Sequence, residues 1–217
     1  VIKAQAPDIV GLNEVQHMMP DSGFKKEAEE LAAKTGLIAQ YFGCTTNCGD
    51  WSPGRYGIAM LSRYPLSERT KTFLPNQTDG SVNMDSSIEP RVLLCGTVDA
   101  PSLPALRFCT THLTNGSSTE SGAIRKLQAQ AIVQELSKQA KTYGGRVLLT
   151  GDLNTNPGTE PIKSLQTILA DAWQEAGSGT GATIPSDAPT VRWDYILHGP
   201  GFGAATEARS LQGGRAS

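Results

Sequence analysis

No stretch of this chain is apolar for long enough to cross a bilayer as a helix, and no excess of basic residues marks it as a polyanion binder. Its 19 Lys and Arg are set against 21 Asp and Glu, a formal charge of -2. Counterion release is therefore not its main source of affinity for a nucleic acid. Acids that cluster around a cation would exaggerate that charge, so a nucleic-acid substrate is weakened and not excluded. There are only four cysteines, and the close pair Cys44 and Cys48 has no second pair and no histidine nearby, which disfavours zinc. Internal repeats and interdomain linkers are also lacking, so residues 1–217 read as one domain. The chain starts at Val1 without Met, so the lack of a targeting segment carries no information.

What is present is ordinary globular material. With 217 residues and 38% hydrophobic residues a sizeable core can be buried, and 23 Gly and 13 Pro without a period indicate many turns. Cys44 and Cys48 fall in a loop-like run from Gly43 to Trp51 and suit a small disulfide-closed loop. Cys95 and Cys109 lie in two strand-like runs, Arg91 to Asp99 and Leu106 to Leu113. An antiparallel hairpin that pairs Val98 with Leu106 puts them directly opposite each other. A bridge or two buried thiols would satisfy that register equally. Four cysteines fitting two pairs point to an oxidising compartment, extracellular or periplasmic.

The stretch from Arg146 to Pro157 organises the rest. Val147 to Thr150 is an apolar, β-branched run suited to a buried strand, and Gly151 ends it. Asp152 and Asn154 follow two apart. In extended backbone both leave on one face, an anionic acceptor beside a neutral donor, as a site holding a hard cation and an oxyanion needs. An Asx turn before Pro157 is the plainer alternative.

Elsewhere the pattern predicts a helix tail over residues 1–7, a strand from Asp8 to Val15 and a helix from Phe24 to Lys34 stopped by Gly36. Strands follow at 37–42, 56–66 and 67–74, then a loop over 75–89 and the cysteine hairpin. A helix from Ser121 to Lys141 carries Ile124, Leu127, Ala131, Ile132, Leu136 and Ala140 on one stripe, with Arg125 outside. A helix over 159–169, a Gly- and Pro-rich loop over 177–189, a strand from Val191 to Leu197 and a last strand-like stretch over 202–211 complete the reading. Glu14, His112 and Asp194 then join Asp152 and Asn154 as polar groups at or near strand ends. Together they could hold a divalent metal through oxygen, place a phosphate against it and activate water.

Six blocks carry a resemblance. Asp8 to Val15, Gly57 to Arg63, Glu89-Pro90-Arg91, Thr111-His112-Leu113, Gly151 to Asn154 and Arg192 to Ile196 resemble, in order, the motifs of the endonuclease/exonuclease/phosphatase superfamily. Its members include deoxyribonuclease I, abasic-site endonucleases, bacterial sphingomyelinases and inositol-polyphosphate phosphatases. The resemblance implies an α/β fold: a four-layered sandwich of two packed, mainly antiparallel sheets flanked by helices, with the site at one edge. By the same resemblance Glu14, with Asp152, binds Mg2+ or Mn2+. Asp152 orients or deprotonates the attacking water, Asn154 and His112 donate to the phosphate, and Arg91 is the phosphate-proximal arginine. Asp194 matches the acid that orients a histidine in a C-terminal Ser-Asp-His motif.

Three departures accompany it. Asn13 stands where the family commonly has Gln, which puts that residue's usual hydrogen bond in question. The family's first strand would precede Val1, and Ser217 matches only the first residue of the Ser-Asp-His motif. The expectation is a monomeric, metal-dependent phosphodiesterase, nucleic acid favoured, trimmed at both ends and inactive in this form if those parts are essential. A phospholipid-headgroup or small-phosphoester hydrolase is the alternative, and so is a non-catalytic binding domain on the same fold. A lipid substrate would call for an exposed apolar loop tip, which the sequence does not single out. Substrate choice belongs to the loops 43–55, 75–89 and 177–189, where Trp51, Arg55 and Tyr56 read first as packing under their own loop.

Overall fold

A run such as Val92-Leu93-Leu94-Cys95 can be apolar at every position only if both faces of its strand are covered. A computed structural model, which describes residues 1–46, 54–84, 88–101 and 103–211, shows what covers them. The strands are β1 (Ile9–His17), β2 (Ala39–Thr46), β3 (Arg55–Ser62), β4 (Leu66–Leu74), β5 (Arg91–Val98), β6 (Leu106–His112), β7 (Val147–Asp152), β8 (Ala170–Asp171) and β9 (Asp194–His198). The helices are α1 (Ile2–Gln5), α2 (Glu27–Thr35), α3 (Thr119–Thr142), α4 (Glu160–Leu165) and α5 (Ala172–Ala176). One sheet has the order β1-β3-β2 and the other β4-β5-β6-β7-β9-β8. All neighbours are antiparallel except β6 and β7, which α3 connects as a crossover.

The side-chain period of two sorts β5 into two cores. Leu93 and Cys95 join Ile132 and Leu136 of α3, whereas Val92, Leu94 and Val98 join Ile58 and Met60 of β3. The small sheet divides in the same way, because Ala59 and Leu61 turn from the sheet interface to meet Ala28 and Ala32 of α2. The result is helix, sheet, sheet, helix: the expected four-layered α/β sandwich. Cys95 and Cys109 are paired as the register predicts and are disulfide-bonded. Cys44 is disulfide-bonded as well, and Cys48 lies outside the described residues.

Local chemistry sets the ends. Ser118 caps α3, its Oγ accepting from Ser121 N at 3.0 Å, and Gly36 ends α2 at φ 77 with its N–H on Ala32 O. Four expectations are corrected. The helix over 159–169 stops at Leu165, because Thr167 turns its hydroxyl back onto Ser164 O and the next bonds tighten to i−3. The strand from Val191 begins only at Asp194. Residues 202–211 contain no strand, since the two-residue β8 occupies the edge of β9. Arg125, expected outside, is buried, and its Nη1 donates to Thr114 O and Gly116 O.

The two sheets meet closely at β1. A Cβ on Gly11 would lie 2.1 Å from Thr150 Oγ1 and 2.7 Å from Thr110 Oγ1, on β7 and β6. Gly11→Ala should therefore push the sheets apart beside the site and cost about 1–3 kcal/mol, read as a lower urea midpoint.

Candidate active site

The registers of three neighbouring strands place three polar residues in one row. His112 ends β6 beside Asp152, which ends the parallel β7, and Asp152 faces Asp194, the first residue of the antiparallel β9. His112 Nε2 lies 3.7 Å from Asp152 Oδ2, a contact without a hydrogen bond that a ligand could tighten.

The opposite sheet supplies the rest. Asn13 points inward from β1 and its amide bridges the larger sheet, Nδ2 donating to Thr111 O at 3.1 Å and Oδ1 accepting from Asp152 N at 2.7 Å. The orientation is the one that satisfies both partners. The shorter residue thus makes hydrogen bonds that the sequence comparison left in question. Strict alternation would then turn Glu14 toward α2, but β1 carries a bulge between Leu12 and Val15, and Glu14 is held at φ 57 inside it. A glutamate in the left-handed region costs about 1–3 kcal/mol, strain of the kind that gathers at functional sites. The bulge leaves Glu14 exposed, close enough to the Asp152 carboxylate and the Tyr56 phenol for its charge to act on both.

Asp152 and Asn154 do not share an extended face. Asp152 Oδ1 accepts from Asn154 N at 2.7 Å, an Asx turn, and Asn154 adopts φ 48, which Asn tolerates. The turn nevertheless returns the Asn154 amide to the row, where Nδ2 donates to Leu113 O at 2.9 Å. Arg91, at the start of β5, is buried, with Nη1 3.0 Å from His112 Nδ1 and Nη2 3.1 Å from Glu89 Oε2.

Burial and then the neighbouring Asp194 and Glu14 carboxylates lift the Asp152 carboxyl to about 6, against the Asn154 N–H that favours its charge. Burial, with the Arg91 charge behind it, lowers His112 to about 3, so the imidazole is neutral at any working pH. Burial and the Glu14 and Glu89 carboxylates together push the Tyr56 phenol well above its ordinary range.

Glu14, His112, Asp152, Asn154, Asp194 and Arg91 thus lie together at one edge of the sandwich. Sequence reasoning missed the supports: Tyr56 on Glu14, Glu89 and Thr45 behind Arg91, and the buried pair Arg192 and Asp171 behind Asp194. Arg192 Nη1 and Nη2 lie 3.0 and 2.7 Å from Asp171 Oδ1 and Oδ2. The signal available was an arginine leading into an apolar strand, which must find an acid when buried. The 153–156 turn is held by Leu153 N on Trp193 O and by the Tyr195 hydroxyl on Thr155 O.

The class so defined is that of α/β sandwiches with polar side chains gathered at one edge of two packed sheets. A profile of the Endonuclease/Exonuclease/phosphatase family matches residues 1–214, and the chain belongs to that family. Among solved structures it is similar to an endonuclease/exonuclease/phosphatase from Beutenbergia cavernae DSM 12333, at 26% identity and a TM-score of 0.67. That alignment covers 92% of this chain and 57% of the other, so this chain spans little more than half of that protein. The human Nocturnin catalytic domain with a bound sulfate anion is similar at 22% identity and TM-score 0.65, over 92% of this chain and 72% of that one. Truncated TDP2 of Caenorhabditis elegans is similar at 20% and 0.61, over 92% and 76%. These last two likenesses bear on the fold alone. No curated protein matches the chain.

Proposed function

We propose that this chain is the core of a divalent-metal-dependent phosphodiesterase, with a nucleic-acid strand as the favoured substrate, acting through in-line attack of water. The observation that carries the reading is the row of His112, Asp152 and Asp194 across β6, β7 and β9, with Glu14 facing it from the other sheet.

The donor set fits a hard cation. Three carboxylates act on one another, as the lifted Asp152 records, and a divalent ion would relieve them. Among the described residues no three His, Cys, Asp or Glu side chains enclose an ion. Glu14 and Asp152 would hold Mg2+ or Mn2+ as one or two carboxylates, the arrangement Mg2+ adopts when water and phosphate complete its shell. Bound there, the ion would neutralise charge on the phosphoryl oxygens. Asp152 accepts a proton from the attacking water. Neutral His112 donates to a non-bridging oxygen as charge develops, and Asn154 directs an amide hydrogen to the same group.

A phospholipid headgroup is the second reading. Phe24 and Met18, 57% and 38% exposed, stand just beyond Glu14 with exposed Lys25 and Lys26, an apolar tip edged with positive charge. Among the described residues no helix is long and apolar enough to cross a membrane. The cysteine pairing supports work in an oxidising compartment. The protein should be assayed against plasmid DNA, a chromogenic phosphodiester and sphingomyelin vesicles, with and without Mg2+, alongside the thermal shift produced by Mg2+ alone. Ion-dependent turnover of any of the three is expected. No turnover and no thermal shift would overturn the reading in favour of a non-catalytic domain.

A further inference from the structure

We propose that Arg91 is a positioning residue that locks His112 in one tautomer, lone pair on Nδ1 and proton on Nε2, and that Glu89 and Thr45 hold Arg91 in turn. The proposal rests on the phosphoesterase reading and specifies how its histidine is aimed. Arg91 Nη1 is 3.0 Å from His112 Nδ1. A guanidinium carries donors only and is never deprotonated in a protein, so Nδ1 must be the acceptor. The single ring hydrogen of a neutral imidazole is then on Nε2, the nitrogen that faces Asp152 across 3.7 Å. Asp152 Oδ2 also favours a hydrogen on Nε2, but at 3.7 Å it makes no hydrogen bond, so the direct Arg91 contact is the stronger determinant of the tautomer.

The chain of supports crosses both sheets. Arg91 Nη2 is held by Glu89 Oε2 at 3.1 Å, and Glu89 Oε1 accepts from Thr45 Oγ1 of β2 at 2.9 Å, so the small sheet steers a side chain of the large one. The Arg91 side chain is 5% exposed and both its Nη atoms are engaged by protein groups. Two of its five N–H groups are thus committed to protein, and the side chain is withdrawn from solvent, which disfavours a direct bidentate grip on a phosphate. Arg91 therefore acts on a phosphate through His112: its charge behind the ring polarises the Nε2–H bond and makes it a better donor without a proton transfer.

The test is a multiple-bond 1H–15N spectrum of the protein labelled with 15N-histidine, in which protonated and bare ring nitrogens separate widely. The expected result is one His112 tautomer at about pH 7.5, with Nε2 protonated. Arg91→Met should give a mixture of tautomers. On a chromogenic phosphodiester with Mg2+ it should lower kcat about tenfold or more while KM stays within about threefold, because the lost contact matters in the transition state. Glu89→Gln, which keeps the volume, should move both readouts in the same direction by less, and decides the matter if Arg91→Met fails to fold. A His112 protonated on Nδ1, or a spectrum unchanged in both variants, overturns the proposal. The expected tautomer without turnover on any phosphoester would support the lock and overturn the phosphoesterase reading alone.

Discussion

Asp152→Asn should abolish turnover and at the same time stabilise the fold. As the proposed base, the carboxylate contributes about 10²–10⁴-fold. A variant that keeps turnover within about tenfold, only ~1.4 kcal/mol, would refute its role. The stability effect follows from the environment. Burial and the Asp194 and Glu14 charges lift Asp152 to about 6, above its value in the unfolded chain. The native state therefore binds the proton more tightly, and stability falls as pH rises from about 4 through 6 and stays low above that. Two units correspond to roughly 3 kcal/mol at neutral pH, and the side chain, 17% exposed, is buried enough for the conversion to hold to order of magnitude. Asn is neutral and its Oδ1 can still accept from Asn154 N. In chelator at about pH 7.5 the variant should be more stable by about 1–3 kcal/mol, and near pH 5 the gap should narrow. Urea unfolding at both pH values checks this. Equal stability at both would mean that the carboxylate is not held against its neighbours.

The row at the site was legible because register is the part of a sheet that apolar patterning specifies best. Once Val147 to Thr150 and Leu106 to Leu113 are buried strands, His112 and Asp152 must leave at their ends, and the same count put Cys95 opposite Cys109. What was not legible depends on backbone exceptions and on long-range partners. The Asx turn at Asn154 and the bulge at Glu14 both break the period of two, and each re-aims a candidate site side chain. Propensity could not foresee that Arg125 would turn inward, because its acceptors, Thr114 O and Gly116 O, exist only once the loop after β6 has folded against α3. The direction of Arg91 was hidden for the same reason: Glu89 is two residues away and Thr45 is on another sheet. The two residues of β8 are too few to show a period, and missing them left residues 202–211 free to look like a strand.

Those two residues also set the largest stability effect expected. Asp171, at the end of β8, receives both Nη atoms of Arg192 and accepts from Trp173 N at 2.9 Å as the cap of α5. Asp171 and Arg192 are 2% and 5% exposed, and the Arg192 guanidinium packs 4.3 Å from the centre of the Tyr195 ring. Removing one partner strands a buried charge, so Asp171→Ala should cost about 3–5 kcal/mol, with about 1 more for the lost cap. Asp171→Asn retains the cap acceptor and should cost less. Because Arg192 is two residues before Asp194, the single variants should also disorder the start of β9 and depress turnover. The double variant Asp171→Leu/Arg192→Met separates charge from packing. If the cost comes from an uncompensated guanidinium, an apolar pair recovers most of the stability that Asp171→Ala loses, apart from the cap, as buried ion pairs elsewhere have shown. Thermal and urea unfolding of Asp171→Leu, Arg192→Met and the double variant, with Asp171→Ala beside them, give the cycle. A double variant no more stable than Asp171→Ala would mean that Arg192 holds β9 through its stacking on Tyr195 and not through its charge.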